Sequence, residues 1–352
     1  MPAWAVPHAR TEGLVALRAA PWTPLDAAWL DAHATSADDA HGEGDVVGLG
    51  RAFPHDIAGA RVPAKAMRAS PYGDLALLAL ATAAIDDAVA AERELFLAVS
   101  FSSNDYVGHV FGPESREAWD ELRRLDAVLA TLFATLDARV GADGYAIVLS
   151  ADHGVVPTPE TMSGGRWCTG EDAFARPCSA GVRIDPDALA RTLEAAADAA
   201  LGAGAYVLGV GDPYVVLTPE ARALEGDRRA LLTRTLEAAL GAYPGVAAFY
   251  ASETDPCPIS GPYGDAVCAG IVVGAGAYYV LPAQGAFFDS TYVPGEGTSH
   301  GTPYPYDRRV PLFVRAPGVA AGRRVEEVVP ASRYRDALCA VMALPREGAC
   351  AF

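Results

Sequence analysis

Three short polar motifs carry the residue types that do chemistry: Asn104-Asp105-Tyr106-Val107-Gly108-His109, Asp152-His153-Gly154 and Ser299-His300-Gly301. Carboxylate and imidazole are, besides thiolate, the side chains that bind zinc. An Asp and a His placed together away from water need a compensating charge, because burying either alone is costly. Each motif by itself also occurs in ordinary loops and turns. Together they put three of the seven histidines in comparable settings. Each of the three histidines has a glycine beside it, which lets the backbone bend and the ring turn inward. The candidate ligands are Asp105, His109, Asp152, His153 and His300. Five exceed what one four-coordinate ion takes. A pair of metals is therefore expected, about 3.5–4 Å apart, as used for in-line displacement. A second stretch, with His33, Asp38, Asp39, His41 and Asp45, reads as solvated surface, since charge runs of this kind normally face water.

Such side chains must be held by rigid elements. Leu95 to Phe101 (LFLAVSF) is a near-continuous apolar run of strand length, as in a strand buried on both faces. A polar loop from Ser102 to Gly112 follows it and carries the first motif. Pro113 then opens a long helix with an apolar face through Trp119, Leu122, Leu125, Leu129, Phe133, Leu136 and Val140. Tyr145 to Ser150 is the next buried strand and runs into the second motif. Strand, loop, helix, strand is a βαβ unit. The expected fold class is α/β, with a mostly parallel sheet sandwiched by helices and the motifs at the carboxyl ends of its strands. A helix is expected over 74–93, capped by Asp74. Residues 185–251 alternate helix and strand without metal-type ligands and read as an inserted α+β subdomain. Residues 1–184 and 252–352 then form the core, closing on a strand over 310–314 and a helix over 332–344.

Composition excludes several classes of function. The 352 residues include 51% apolar side chains, ample for a core, and carry a formal charge of −17. That balance argues against nucleic acid or anionic lipid as a partner, because phosphate backbones are held by clustered Lys and Arg. No apolar run reaches the roughly 18 residues of a membrane span, and Met1 is followed by nothing resembling a secretory signal. The six cysteines fall into three close pairs, Cys168 with Cys178, Cys257 with Cys268 and Cys339 with Cys350. Local disulfides and an oxidising compartment are the economical reading, although buried free thiols remain the alternative.

The segments FSSNDYVGHVFGPESREAWDELRRLD, YAIVLSADHGV and GTSHGTPYPYDRRVPLFVRAPGV closely resemble the alkaline phosphatase superfamily. The branch they resemble is that of the type I phosphodiesterases and the phosphate-irrepressible bacterial alkaline phosphatases. The likeness implies a zinc-dependent hydrolase of small phosphate esters, periplasmic or secreted. It implies that Asp105, His109 and His300 hold a first zinc, and that Asp152 and His153 are two of three ligands to a second. It also implies an additional Asp, a Thr or Ser nucleophile and a basic phosphate-binding pair, none of which can be placed in this sequence. No catalytic nucleophile is therefore assigned, and the chain reads as the C-terminal portion of such an enzyme, with one metal site complete and the other short of a ligand. Two other functions stand beside this one. One is a non-catalytic metal-binding or partner-binding protein on a degenerate phosphatase fold. The other is a sulfatase, disfavoured because Cys257-Pro258-Ile259-Ser260-Gly261 does not match that nucleophile's context.

Overall fold

The computed structural model describes residues 1–9, 20–162, 181–252, 263–290, 293, 295–331 and 333–342. Among them are eight strands, β1 (Ile147–Ser150), β2 (Val182–Ile184), β3 (Val207–Gly211), β4 (Tyr214–Leu217), β5 (Val246–Ala251), β6 (Tyr278–Pro282), β7 (Ala286–Phe288) and β8 (Leu312–Arg315). Helices alternate with them, so the class is α/β. No described helix is long and apolar enough to cross a membrane.

The sheet directions differ from expectation. Only β2 and β7 pair in parallel. β1 pairs antiparallel with β8, Ile147 opposite Arg315 and Ser150 opposite Leu312. The largest sheet has the order β3-β4-β6-β5 and is antiparallel throughout. Its third strand, β6, comes from beyond residue 251, so the sheet of the 185–251 stretch draws in later sequence. The helices Pro186–Leu201 and Gly226–Ala242 cover one of its faces. Their leucines Leu189, Leu193, Leu232, Leu236 and Leu240 are buried against Val215 and Val280 in one core. Each such side chain contributes about 1.5–3 kcal/mol.

Leu95–Phe101, expected as a buried strand, enters no ladder among the described residues. Leu95, Phe96 and Leu97 are 40%, 64% and 38% exposed. Strand-type composition is not sufficient: backbone N–H and C=O groups need a neighbour to pair with, and here the run finds none. Phe313 and Val314 of β8 are likewise exposed.

Two local readings are also corrected. The segment expected as a polar loop is a helix, Ser103–Phe111. The long helix begins at Arg116, not at Pro113, because Ser115 accepts the Ala118 N–H and is its N-cap. Its expected apolar face holds poorly. Leu122 and Val140 are exposed, while Glu117, Asp120 and Glu121 are buried beside Ala118 and Val128. The buried face of the first turns is acidic because it meets polar donors: Trp22 gives its indole N–H to Asp120 at 2.7 Å, and the His55 Nε2 lies 3.0 Å from Glu117. This core, which includes Trp22, Ile57, Val107, Val110 and Phe111, lies directly under the Ser103–Phe111 helix.

Candidate metal centre

The Asp105 and His109 spacing is that of one helical turn, so both side chains share a face of the Ser103–Phe111 helix. Val107, Val110 and Phe111 take the opposite, buried side. Gly112, at φ +88°, ends the helix. Its start is held from a distance, by Asp74 of the Tyr72–Ala90 helix, whose carboxylate accepts the Ser103 N–H at 3.2 Å. Asp74 was expected as a cap for its own helix and instead serves this one.

Asp105 is the meeting point of the three histidines. Its Oδ1 lies 3.3 Å from the His109 Nε2, 3.8 Å from the His153 Nε2 and 3.8 Å from the His300 Nε2. The His153 and His300 rings stack with centroids 3.4 Å apart, and His109 stands 5.0 Å from His300. Asp105, His153 and His300 each offer a ligand atom, all within 4.8 Å of one another, the one such group among the described residues. His109 adjoins it through Asp105. The set expected around the first ion was Asp105, His109 and His300; in the group found, His153 stands where His109 was expected. Asp152 is close, its Oδ2 3.7 Å from the His153 Nε2, but its side chain is 88% exposed.

Ring orientation follows from the other nitrogen. His109 Nδ1 lies 2.9 Å from the Thr298 carbonyl and His153 Nδ1 lies 2.9 Å from the Gly154 carbonyl. A carbonyl only accepts, so each Nδ1 carries a proton, and each Nε2 is turned toward Asp105. Burial, reinforced by the neighbouring His153 and His109, pushes the His300 imidazole down to about 4. It is therefore neutral near pH 7, the form that binds a metal.

The three motifs are tied together by Thr298, which is fully buried. Its N–H donates to the His109 carbonyl at 2.9 Å, its carbonyl accepts from His109 Nδ1, and its hydroxyl donates to the Val156 carbonyl at 2.6 Å. Two glycines are required by close approach. A Cβ on Gly154 would sit 2.1 Å from the Tyr306 carbonyl, whose neighbour Asp307 accepts the Gly154 N–H. A Cβ on Gly297, at φ +66°, would sit 2.0 Å from the His109 carbonyl. Gly108, expected to free the His109 backbone, is ordinary helix with open space at its Cβ position. Asp307 accepts both the N–H and the hydroxyl of Thr302 at 2.7 and 2.6 Å and so shapes the loop after His300. Nothing in sequence spacing marks Thr298, Asp74 or Asp307 for these tasks.

The other candidates have separate lives. His33 stacks on Trp29, Asp38 and Asp45 accept backbone N–H groups, and Asp39 pairs with Arg51. Cys268 and Cys339 are disulfide-bonded rather than free. Cys168, Cys178, Cys257 and Cys350 lie outside the described residues, as does the 257–261 segment weighed for a sulfatase.

Known proteins resemble this chain in sequence and in fold. Alkaline phosphatase PafA of Elizabethkingia meningoseptica is 42% identical over 106 residues, 30% of this chain and 19% of that protein. Alkaline phosphatase PhoV of Synechococcus elongatus is 49% identical over 75 residues, 20% of this chain and 14% of that protein. The crystal structure of wild-type PafA superposes with a TM-score of 0.73 at 24% identity, covering 92% of this chain and 60% of that one. A PafA mutant gives 0.70 at 22% identity, covering 90% and 58%. The chain thus spans less than two thirds of these relatives, and the crystal structures establish a shared fold. Residues 40–229, more than half of the chain, match the model of the type I phosphodiesterase / nucleotide pyrophosphatase family. That span contains Asp105, His109, Asp152 and His153, and it places the chain in this family, within the alkaline phosphatase superfamily.

Proposed function

We propose that this chain carries the metal site of a zinc-dependent phosphoric-ester hydrolase acting on small phosphate esters. The observation that carries the reading is the convergence of three Nε2 atoms on the Asp105 Oδ1 within 3.3–3.8 Å, from three separate stretches of sequence. A carboxylate with neutral imidazoles is a donor set that suits zinc. Asp105, His153 and His300 would hold one ion, with His109 against Asp105, and Asp152 would be the carboxylate left toward a second. Bound zinc supplies Lewis acidity toward a phosphoryl oxygen and acidifies its water. The protein's own part is to keep His300 neutral, to hold the Nδ1 of His109 and of His153 on backbone carbonyls, and to turn the three Nε2 atoms toward one point.

The same reading includes three local disulfides, Cys168–Cys178, Cys257–Cys268 and Cys339–Cys350, and a periplasmic or secreted location. The disulfide-bonded state of Cys268 and Cys339 supports both. It also treats 185–251 as the inserted subdomain, its helices sharing one core with Tyr278, Val280 and Phe288 of later sequence. Mass mapping under non-reducing conditions tests the pairing, and free thiols at all six positions would overturn it.

The functional test is turnover of an aryl phosphate monoester and a diaryl phosphate diester by the chain loaded with zinc. Slow, zinc-dependent hydrolysis that is lost in Asp105→Asn is expected. Turnover that survives removal of metal by chelation would sink the reading. Zinc retained with no turnover of either ester would favour the non-catalytic metal-binding alternative.

A further inference from the structure

Two buried carboxyls outside the metal site face each other with no cation between them. Asp74 is 1% exposed and Glu121, on the Arg116–Val140 helix, is fully buried. Their helices pack against each other, and each carboxyl acts directly on the other. Ionised carboxylates only accept hydrogen bonds, and the Asp74 Oδ2 and both Glu121 oxygens meet no other donor. Two like charges in contact away from water are untenable, so one proton must lie between them. Other groups indicate which residue keeps it. Asp74 accepts the Ser103 N–H at 3.2 Å and the Ser103 hydroxyl. Burial pushes the Asp74 carboxyl up and those contacts pull it back, whereas burial and then Asp74 push the Glu121 carboxyl up, so the proton stays on Glu121.

The Ser103 contact is at the start of the helix that carries Asp105 and His109. The first N–H groups of a helix have no partner within it. The residue positioned to cap this one, Ser102, does not, because its hydroxyl is engaged with Ser100. A carboxylate from another helix takes its place, and negative charge is favoured at this end by the helix dipole. Asp74 can bear that charge only while Glu121 stays protonated. We propose that Asp74 and Glu121 share a single proton and act as a positioning pair that holds the Ser103–Phe111 helix, and with it Asp105 and His109, in place. The remaining charged groups that bear on Glu121 are Asp120 and Arg124 of its own helix, already paired to each other at 2.6 Å.

The effect on metal binding rests on the proposed zinc site, whereas the shared proton does not, and the experiment separates them. Glu121→Gln keeps a neutral donor to Asp74, Glu121→Ala removes it, and Asp74→Ala removes the cap. Zinc affinity is read against a chromophoric chelator at pH 7, and thermal melting is read from pH 5 to 9. Asp74→Ala is expected to weaken zinc binding by about 10–100-fold, as loss of a support to a ligand does. Glu121→Ala should follow it in part, and Glu121→Gln should match the parent. Burial, with Asp74 next, pushes the Glu121 carboxyl up to about 9. A carboxyl raised in the folded state contributes stability at low pH that is lost as pH climbs toward that value. Glu121→Gln should therefore flatten the decline of the melting midpoint seen in the parent. Glu121→Gln as damaging as Glu121→Ala, or an unchanged decline, would overturn the shared proton. Asp74→Ala with parental zinc affinity would overturn the positioning role. A parent that binds no zinc would refute the metal site, and the melting series would still judge the pair.

Discussion

His109 Nδ1 donates to the carbonyl of Thr298 at 2.9 Å across 189 positions of sequence, and the Thr298 N–H returns a bond to the His109 carbonyl. This reciprocal link sets a proton on His109 Nδ1 and brings the segment of His300 against the helix of Asp105. The Thr298 hydroxyl extends the link to Val156, just after the Asp152-His153-Gly154 motif.

Thr298→Val tests that staple. Valine keeps the shape and both backbone bonds but leaves the Val156 carbonyl without its donor in a buried place, a loss of about 1–3 kcal/mol. A lowered unfolding free energy with weaker zinc retention is expected, and Thr298→Ser should restore both. Equal stability of the valine and serine variants by chemical denaturation would contradict it.

Metal stoichiometry is the second expectation. Three protein ligands and a water make an adequate zinc site, and Asp105, His153 and His300 form such a set. Asp152 is exposed and reaches only His153, which the first set already uses. Metal analysis after dialysis should return one zinc per chain, falling toward none in Asp105→Asn. Two firmly held zincs would require a further ligand.

The exposed run Leu95–Phe101 leads to the third. An apolar segment that finds no strand partner among the described residues is a template for pairing with another chain. The chain expressed alone is expected to self-associate at micromolar concentration, and Phe96→Lys, which places a charge at the most exposed position, should raise the monomer fraction. Light scattering after gel filtration reads the outcome; a monomeric parent would refute it.

Glu43 supplies the fourth. It is 2% exposed, its Oε1 has no partner, and burial followed by the nearby Glu117 pushes it up to about 9 from an ordinary 4.5. The folded chain holds this proton where the unfolded chain releases it, so stability present at low pH is lost as pH rises across that interval. Glu43→Gln should shrink the difference in melting midpoint between pH 5 and pH 8. A difference as large as the parent's would show that Glu43 is ionised in the fold.

The sequence by itself determined the chemistry available and the class of the fold. Asp and His in three glycine-bearing motifs pointed to metal ligation, whereas the helix that puts Asp105 and His109 on one face was expected as a loop. The acidic balance, which argues against nucleic acid, was also readable from composition alone. Strand direction was not, because an apolar run such as Tyr145–Ser150 pairs with whatever strand arrives beside it. That strand is the antiparallel β8. Nor was the fate of Leu95–Phe101, since pairing depends on a neighbour rather than on propensity. The acidic face of the Arg116–Val140 helix was misread for a related reason: periodicity counts apolar side chains, whereas Glu117, Asp120 and Glu121 are buried against partners on distant segments. The meeting of Asp105 with His300 belongs wholly to the tertiary structure, because it depends on two close backbone approaches, at Gly154 and Gly297, and on the three bonds of Thr298.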